Sequence, residues 1–214
     1  MNEKTNLILN TLYRDNPALE ACRLEIQTAC ELLLACAKER ATVLVCGNGG
    51  SAADSEHIVG ELMKGFLLRR PLTEAEKSRF TAVPGGEAVA EKLQGAIRAI
   101  SLVSQAGVIS AFANDVDASL VYAQQVYAYA QKPQDVLIGL STSGNSKNVL
   151  NAVIAAKACG IRSIAITGSG GGKLADIVDA TIRLPASETY RIQEYTLPVY
   201  HALCAATEAE MFLA

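Results

Sequence analysis

The chain contains two histidines, His57 and His201. Imidazole titrates close to neutrality and is a common metal ligand, so both positions could do chemistry. Each lies in a stretch of helical periodicity, with an oxygen- or nitrogen-bearing partner on the same face. His57 and Glu61 are four residues apart, so their side chains point to one side of a helix. Gln193 and His201 are two steps of four apart, which places them within about 80° of one another around an ideal helix. If the two helices meet, His57, Glu61, Gln193 and His201 can close round one Zn2+ ion. The competing reading is a pair of structural histidines, each satisfied in its own surroundings.

A second group suits an anion. Ser141-Thr142-Ser143-Gly144-Asn145-Ser146 follows the apolar run Asp135 to Leu140 (DVLIGL) and precedes Val149, Leu150, Val153, Ile154 and Lys157 at helical spacing. Hydroxyls and unpaired backbone N–H groups at a helix N-terminus suit a phosphate monoester, and Gly144 allows the backbone to come close. Ordinary capping by Ser or Asn is the alternative. Capping needs one hydroxyl, and the density of them favours phosphate. Gly47-Asn48-Gly49-Gly50-Ser51 has the same character, bringing backbone and the Asn48 and Ser51 side chains against a polar ligand, although a tight strand-to-helix turn needs glycine anyway.

These residues must be positioned by a repeated strand-turn-helix phrase. Thr42 to Cys46 is a short apolar run ending in the first glycine turn, and a helix should open near Ala52. The DVLIGL run and the serine-rich loop repeat the phrase. Ile161 to Thr167 (IRSIAIT) then runs into Gly168-Ser169-Gly170-Gly171-Gly172 and a short helical segment, and Ala180 to Leu184 supplies a further strand. Ala96 to Leu102 reads as a strand, Ser119 to Ala130 as a helix, and Arg191 to about Phe212 as a last helix that Pro198 should bend. Strands alternating with helices imply an α/β fold, a doubly wound parallel sheet with both faces covered, and ligands bind beyond the carboxyl ends of its strands. Residues 17 to 39 carry Leu19, Cys22, Ile26, Cys30, Leu33, Leu34 and Ala37 on one helical stripe, wide enough to want a partner helix or a neighbouring subunit. Between Leu72 and Gln94 the pattern weakens; this stretch reads as an ordered surface excursion with a helix from Glu87 to Gln94.

With 214 residues, half of them hydrophobic, the expectation is one domain with one well-filled core. The net charge of −3 and the absence of any Lys/Arg run longer than Arg69-Arg70 argue against nucleic acid as a partner. No apolar stretch reaches the roughly 18 to 20 residues of a membrane span. The N-terminus lacks the pattern of a secretory signal, which points to the cytoplasm. Six cysteines without a C-x-x-C pair are expected as buried free thiols in a reducing compartment.

The runs CGNGGSAADSEHIVGEL (Cys46 to Leu62), Asn114-Asp115, LSTSGNSKNV (Leu140 to Val149), ITGSGGGKLA (Ile166 to Ala175) and RIQEYTLPVYH (Arg191 to His201) resemble, in order, the motifs of phosphoheptose isomerases, a family of the sugar isomerase (SIS) domain. The resemblance spans nearly the whole chain. It implies a five-stranded parallel sheet between helices, N-terminal helices used for oligomerisation, a homotetramer, and interconversion of sedoheptulose 7-phosphate with D-glycero-D-manno-heptose 7-phosphate through an enediol. It places His57, Glu61, Gln193 and His201 on Zn2+-holding positions, and Glu61 and His201 on acid-base positions. It places Asn48, Gly49, Gly50, Ser51, Glu61, Asn114, Asp115, Ser141, Thr142, Ser143, Ser146 and Gln193 on substrate-contacting positions, the serine-rich loop taking the phosphate. A replication-initiator-binding relative keeps the fold and the phosphate loop but lacks counterparts of Glu61 and His201. Their presence here implies an enzyme; the alternative is a SIS-domain protein that binds a phosphosugar or a protein without turnover. The segment Leu72 to Gln94 is longer than its counterpart, and Tyr190 and Tyr195 replace an acidic residue and a histidine, which bears on the identity of the sugar.

Overall fold

A computed structural model describes residues 1–212. Five apolar runs form one sheet: β1 Val43–Cys46, β2 Ala99–Ser101, β3 Val136–Leu140, β4 Arg162–Thr167 and β5 Ala180–Arg183. Their order is β2-β1-β3-β4-β5 and every pairing is parallel. β1 and β3 are buried at every residue, as strands covered on both faces must be. Side chains alternate between two cores: Val43, Val45, Ile138 and Ile164 face one, while Leu44, Leu137 and Ala165 face the other.

The first core is closed by α1 Glu3–Asp15, α2 Arg23–Lys38, α3 Gly50–Met63 and α9 Thr189–Phe212. The second is closed by α7 Val121–Tyr129 and α8 Lys147–Ala158. The short helices α4 Glu74–Lys77 and α5 Gly86–Ala90 belong to neither core, while α6 Ala106–Phe112 lays Ile109 and Phe112 against the second. Because β1 sits between β2 and β3, the connections leave it in opposite directions. The crevice between the carboxyl ends of β1 and β3 is therefore the switch point where an open α/β sheet binds its ligand.

The stripe expected over residues 17 to 39 is buried from Leu19 to Ala37, but it is not one helix. Pro17–Cys22 is a 3-10 turn, and Cys22 leaves helical angles (φ −107°, ψ 11°) before α2 begins. At that break its thiol reaches the Arg183 carbonyl on β5 at 2.9 Å. Leu33, 2% exposed, lies in the core that this stripe builds. Leu33→Ala should lower unfolding free energy by about 2–5 kcal/mol, read by denaturant titration.

Several boundaries differ from expectation. α3 begins at Gly50, and the strand expected from Ala96 narrows to β2. The helix expected from Ser119 begins as α7 after a 3-10 turn, Ala118–Leu120. The helix expected over Glu87 to Gln94 stops at Ala90, since Gln94 is drawn into an antiparallel bridge with Pro71 and Gly95 N–H donates to the Arg70 carbonyl at 2.7 Å. The excursion therefore leaves and returns at one point. α6 is a short helix with no fully buried residue, and Ile109 and Phe112 rest half-buried against the second core. α9 runs through Pro198, which leaves the Glu194 carbonyl without its helical donor.

Among the described residues the cysteines are free, with Cys22, Cys30, Cys36, Cys46 and Cys204 buried and Cys159 half-buried. Burial pushes the Cys46 and Cys204 thiols up to about 12, so they are inert core groups. No helix among the described residues is long and apolar enough to cross a membrane.

Candidate active site

The two histidine-bearing helices lie side by side. The His57 and His201 ring centroids are 5.0 Å apart and nearly perpendicular. His57 Nε2 is 3.2 Å from Glu61 Oε1, which makes the i,i+4 pair a contact. Glu61 is 9% exposed, and its other oxygen accepts from Lys64 Nζ at 3.0 Å. On the far side of the His57 ring, Nδ1 is 2.8 Å from the Tyr200 hydroxyl. Burial, then the neighbouring Asp54 carboxylate, pushes the Tyr200 phenol well up, so it stays protonated. That contact turns His57 so that Nε2 faces Glu61.

His201 lies in a drier place. Its Nε2 is buried with no hydrogen-bond partner among the described residues, and the Phe66 ring lies 5.3 Å away. Burial and then the nearby His57 hold its pKa below the usual imidazole value, against the pull of Glu61. The neutral ring keeps a lone pair available to a proton or a metal. Gln193 stands apart from these three: a Cβ on Gly50 would collide with its Nε2, so its amide lies over the first turn of α3, two turns before His57. Among the described residues, no group of three or more His, Cys, Asp and Glu side chains converges closely enough to hold a metal ion.

The glycine and serine loops meet over the switch point. Asn48 and Asn148 exchange amide hydrogen bonds of 2.9 and 2.8 Å, joining the loop after β1 to the first turn of α8. The Tyr122 hydroxyl donates to the Gly47 carbonyl at 2.8 Å, and Gly49 takes φ +57° as α3 opens. In the second loop, Ser141 is buried and its hydroxyl is 2.9 Å from that of Ser146. Ser146 makes no side-chain cap on α8, so the capping alternative is not what these hydroxyls do. Gly144 has φ +64°, and a Cβ there would strike the Gly171 carbonyl. Leu174 N–H donates to the Gly144 carbonyl at 3.0 Å and Gly168 N–H to the Thr142 carbonyl at 3.0 Å, so this loop interlocks with the glycine turn after β4. Ser51 is buried at the start of α3, Thr142 is half-buried and Ser143 is exposed.

Asn114 and Asp115 lie on a π turn, Ala113–Asp117, that continues α6. Both are exposed and bonded to each other at 2.8 Å, and no hydrogen bond among the described residues ties them to either loop.

The SIS domain model matches residues 16–101 and 89–168. A phosphoheptose isomerase from a Nitratiruptor species is 38% identical over 186 residues, covering 87% of this chain and 86% of that one. The chain belongs to the phosphoheptose isomerase family. The family member from Laribacter hongkongensis is 36% identical over 203 residues, 94% of this chain and 91% of that one. Among solved structures, the phosphoheptose isomerase from Neisseria gonorrhoeae superposes with a TM-score of 0.69 at 31% identity, over 95% of this chain and 97% of that one. The one from Francisella tularensis gives 0.73 at 26% identity, over 97% and 98%. The family's fold therefore covers every element that carries the site.

Within this family fold, several residues lie at the site that spacing alone did not single out. Asp54 shares a helix face with His57 and Glu61, a signal present in the sequence, and its carboxylate is 3.4 Å from the Tyr200 hydroxyl. Asn148 and Phe66 had no such signal: both reach the site through contacts between distant segments.

Proposed function

We propose that this protein is a Zn2+-dependent isomerase, a single SIS domain with residues 72–94 as a surface excursion, that interconverts sedoheptulose 7-phosphate and D-glycero-D-manno-heptose 7-phosphate. The observation that carries the reading is the buried carboxylate of Glu61 beside two imidazoles, on helices that flank the switch-point loops. The names of the relatives, phosphoheptose isomerases in each case, support the same reaction.

Moving a carbonyl between C1 and C2 requires that a carbon-bound proton be taken from one carbon and returned to its neighbour. Glu61 is the base on this reading, since its burial keeps competing water away from its oxygens. His201, held neutral, serves the substrate oxygens or the second proton transfer. Ser141, Thr142, Ser143 and Ser146 take the phosphate with the first N–H groups of α8, whose helix end carries partial positive charge. Asn48, Gly49, Gly50, Ser51, Gln193, Asn114 and Asp115 line the sugar.

The residue types suit zinc, two imidazoles and a carboxylate with one imidazole nitrogen buried without a partner, although these side chains do not converge on one point as they stand. His57, Glu61 and His201 would hold the ion once their side chains turn toward a common point, with Gln193 joining them only if its amide swings away from Gly50, and bound Zn2+ would polarise the carbonyl. Exposed Leu7 and Leu24 on the N-terminal helices support assembly of copies, read here as a cytoplasmic homotetramer.

A panel of seven-, six- and five-carbon sugar phosphates, with metal analysis of the purified protein, tests this reading. Turnover should be highest on the seven-carbon substrate, lost on chelation and restored by Zn2+. Phosphate-ester binding without exchange of substrate hydrogen with solvent would instead establish a non-catalytic binding protein.

A further inference from the structure

One charged pair lies wholly in the dry interior, behind the site. Arg70 Nε donates to Glu208 Oε1 at 2.7 Å, with the two side chains 0% and 1% exposed. Burying two charges costs several kcal/mol for each ion, and apolar side chains of similar volume often serve a core equally well. The ion pair by itself therefore adds little to the core, and its other bonds show what apolar residues could not do.

Arg70 Nη1 donates to the Leu62 carbonyl at 2.8 Å and Nη2 to the Glu61 carbonyl at 3.1 Å. These are last-turn carbonyls of α3, which lack partners within the helix. Glu208 accepts from the N–H groups of Phe66, Leu67 and Leu68 at 2.8, 2.7 and 3.1 Å. The pair thus grips the backbone of Glu61 on one side and that of Phe66 on the other. Phe66 is the ring that lies against His201, and Glu208 stands two turns beyond His201 on α9.

We infer that Arg70 and Glu208 are positioning residues for the isomerisation: together they set where Glu61 sits relative to His201 and keep Phe66 over the His201 ring. This rests on the reading in which Glu61 and His201 carry the proton transfers. Without the guanidinium the Glu61 carbonyl would lose its donor, while the Leu62 carbonyl would keep only the Ile97 N–H. Without the carboxylate three N–H groups of the turn after α3 would lose their acceptor at once, and Phe66 would lose its hold with them.

The test is the paired replacement Arg70→Met with Glu208→Leu, which removes both charges and leaves neither unpaired. Arg70→Lys serves as a second variant, keeping the charge but not the fork that reaches Glu208 and two carbonyls together. For each, melting temperature, kcat and KM on sedoheptulose 7-phosphate, and the His201 ring signals in the NMR spectrum are measured. With two histidines in the chain, His57→Gln assigns those signals.

The expected result for a variant that melts near the wild type is a kcat lowered about 100-fold, the scale of a misplacement near 1 Å, with KM little changed and the His201 ring signals displaced as Phe66 shifts. A folded variant with wild-type kcat, or one with unmoved His201 signals, overturns the inference. Failure of both variants to fold also overturns it, because the pair would then serve the fold itself. If the wild type has no isomerase activity, the function proposed above fails, while the ring signals still report whether the pair holds Phe66 on His201.

Discussion

Glu61→Gln should lower kcat by about a thousandfold, within the range that a positioned acid or base contributes. The amide keeps the shape of the carboxylate and can still accept a hydrogen bond from Lys64, so the buried position should stay filled and the fold intact. What it cannot do is take a proton from carbon. His201→Gln should give a loss of similar order, since an amide has no nitrogen lone pair to offer at neutral pH. Steady-state kinetics with melting curves on both variants decide the matter. Unchanged turnover in both would reject the mechanism.

Gly144→Ala should disable the anion loop and destabilise the protein together. An alanine at φ +64° costs about 1–2 kcal/mol from backbone sterics alone. Its Cβ would also overlap the Gly171 carbonyl, a backbone group with no freedom to swing aside. The serine loop and the glycine turn after β4 must then part, at a combined cost of about 3 kcal/mol or more. Parting them displaces the hydroxyls proposed to receive the phosphate. Loss of one charge-assisted hydrogen bond, about 1.5–3 kcal/mol, should raise KM by about tenfold or more. A variant with the wild-type melting temperature and KM would show that the two loops tolerate separation.

At the serine loop the sequence offered an anion site or a helix cap. Density of hydroxyls favoured an anion over a cap; Ser146 places its hydroxyl against that of Ser141 and makes no side-chain cap on α8, and the anion reading stays a proposal. Gln193 illustrates the reverse. Helical spacing put it near the face of His201, yet its amide rests over Gly50, because a long side chain follows the surface it packs on. Asn114 and Asp115 sit exposed on a π turn after a short helix, where periodicity says nothing about which polar residues meet a site.

Period-two and period-3.6 patterns act within a few residues, so strands, most helices, the sheet class and the His57 to Glu61 pairing were all determined by the amino-acid sequence alone. Only tertiary packing could bring the hydroxyl of Tyr200 to His57 across 143 positions, or Glu208 to Arg70 across 138. Such contacts depend on which helix faces share a core, and local spacing carries no record of that.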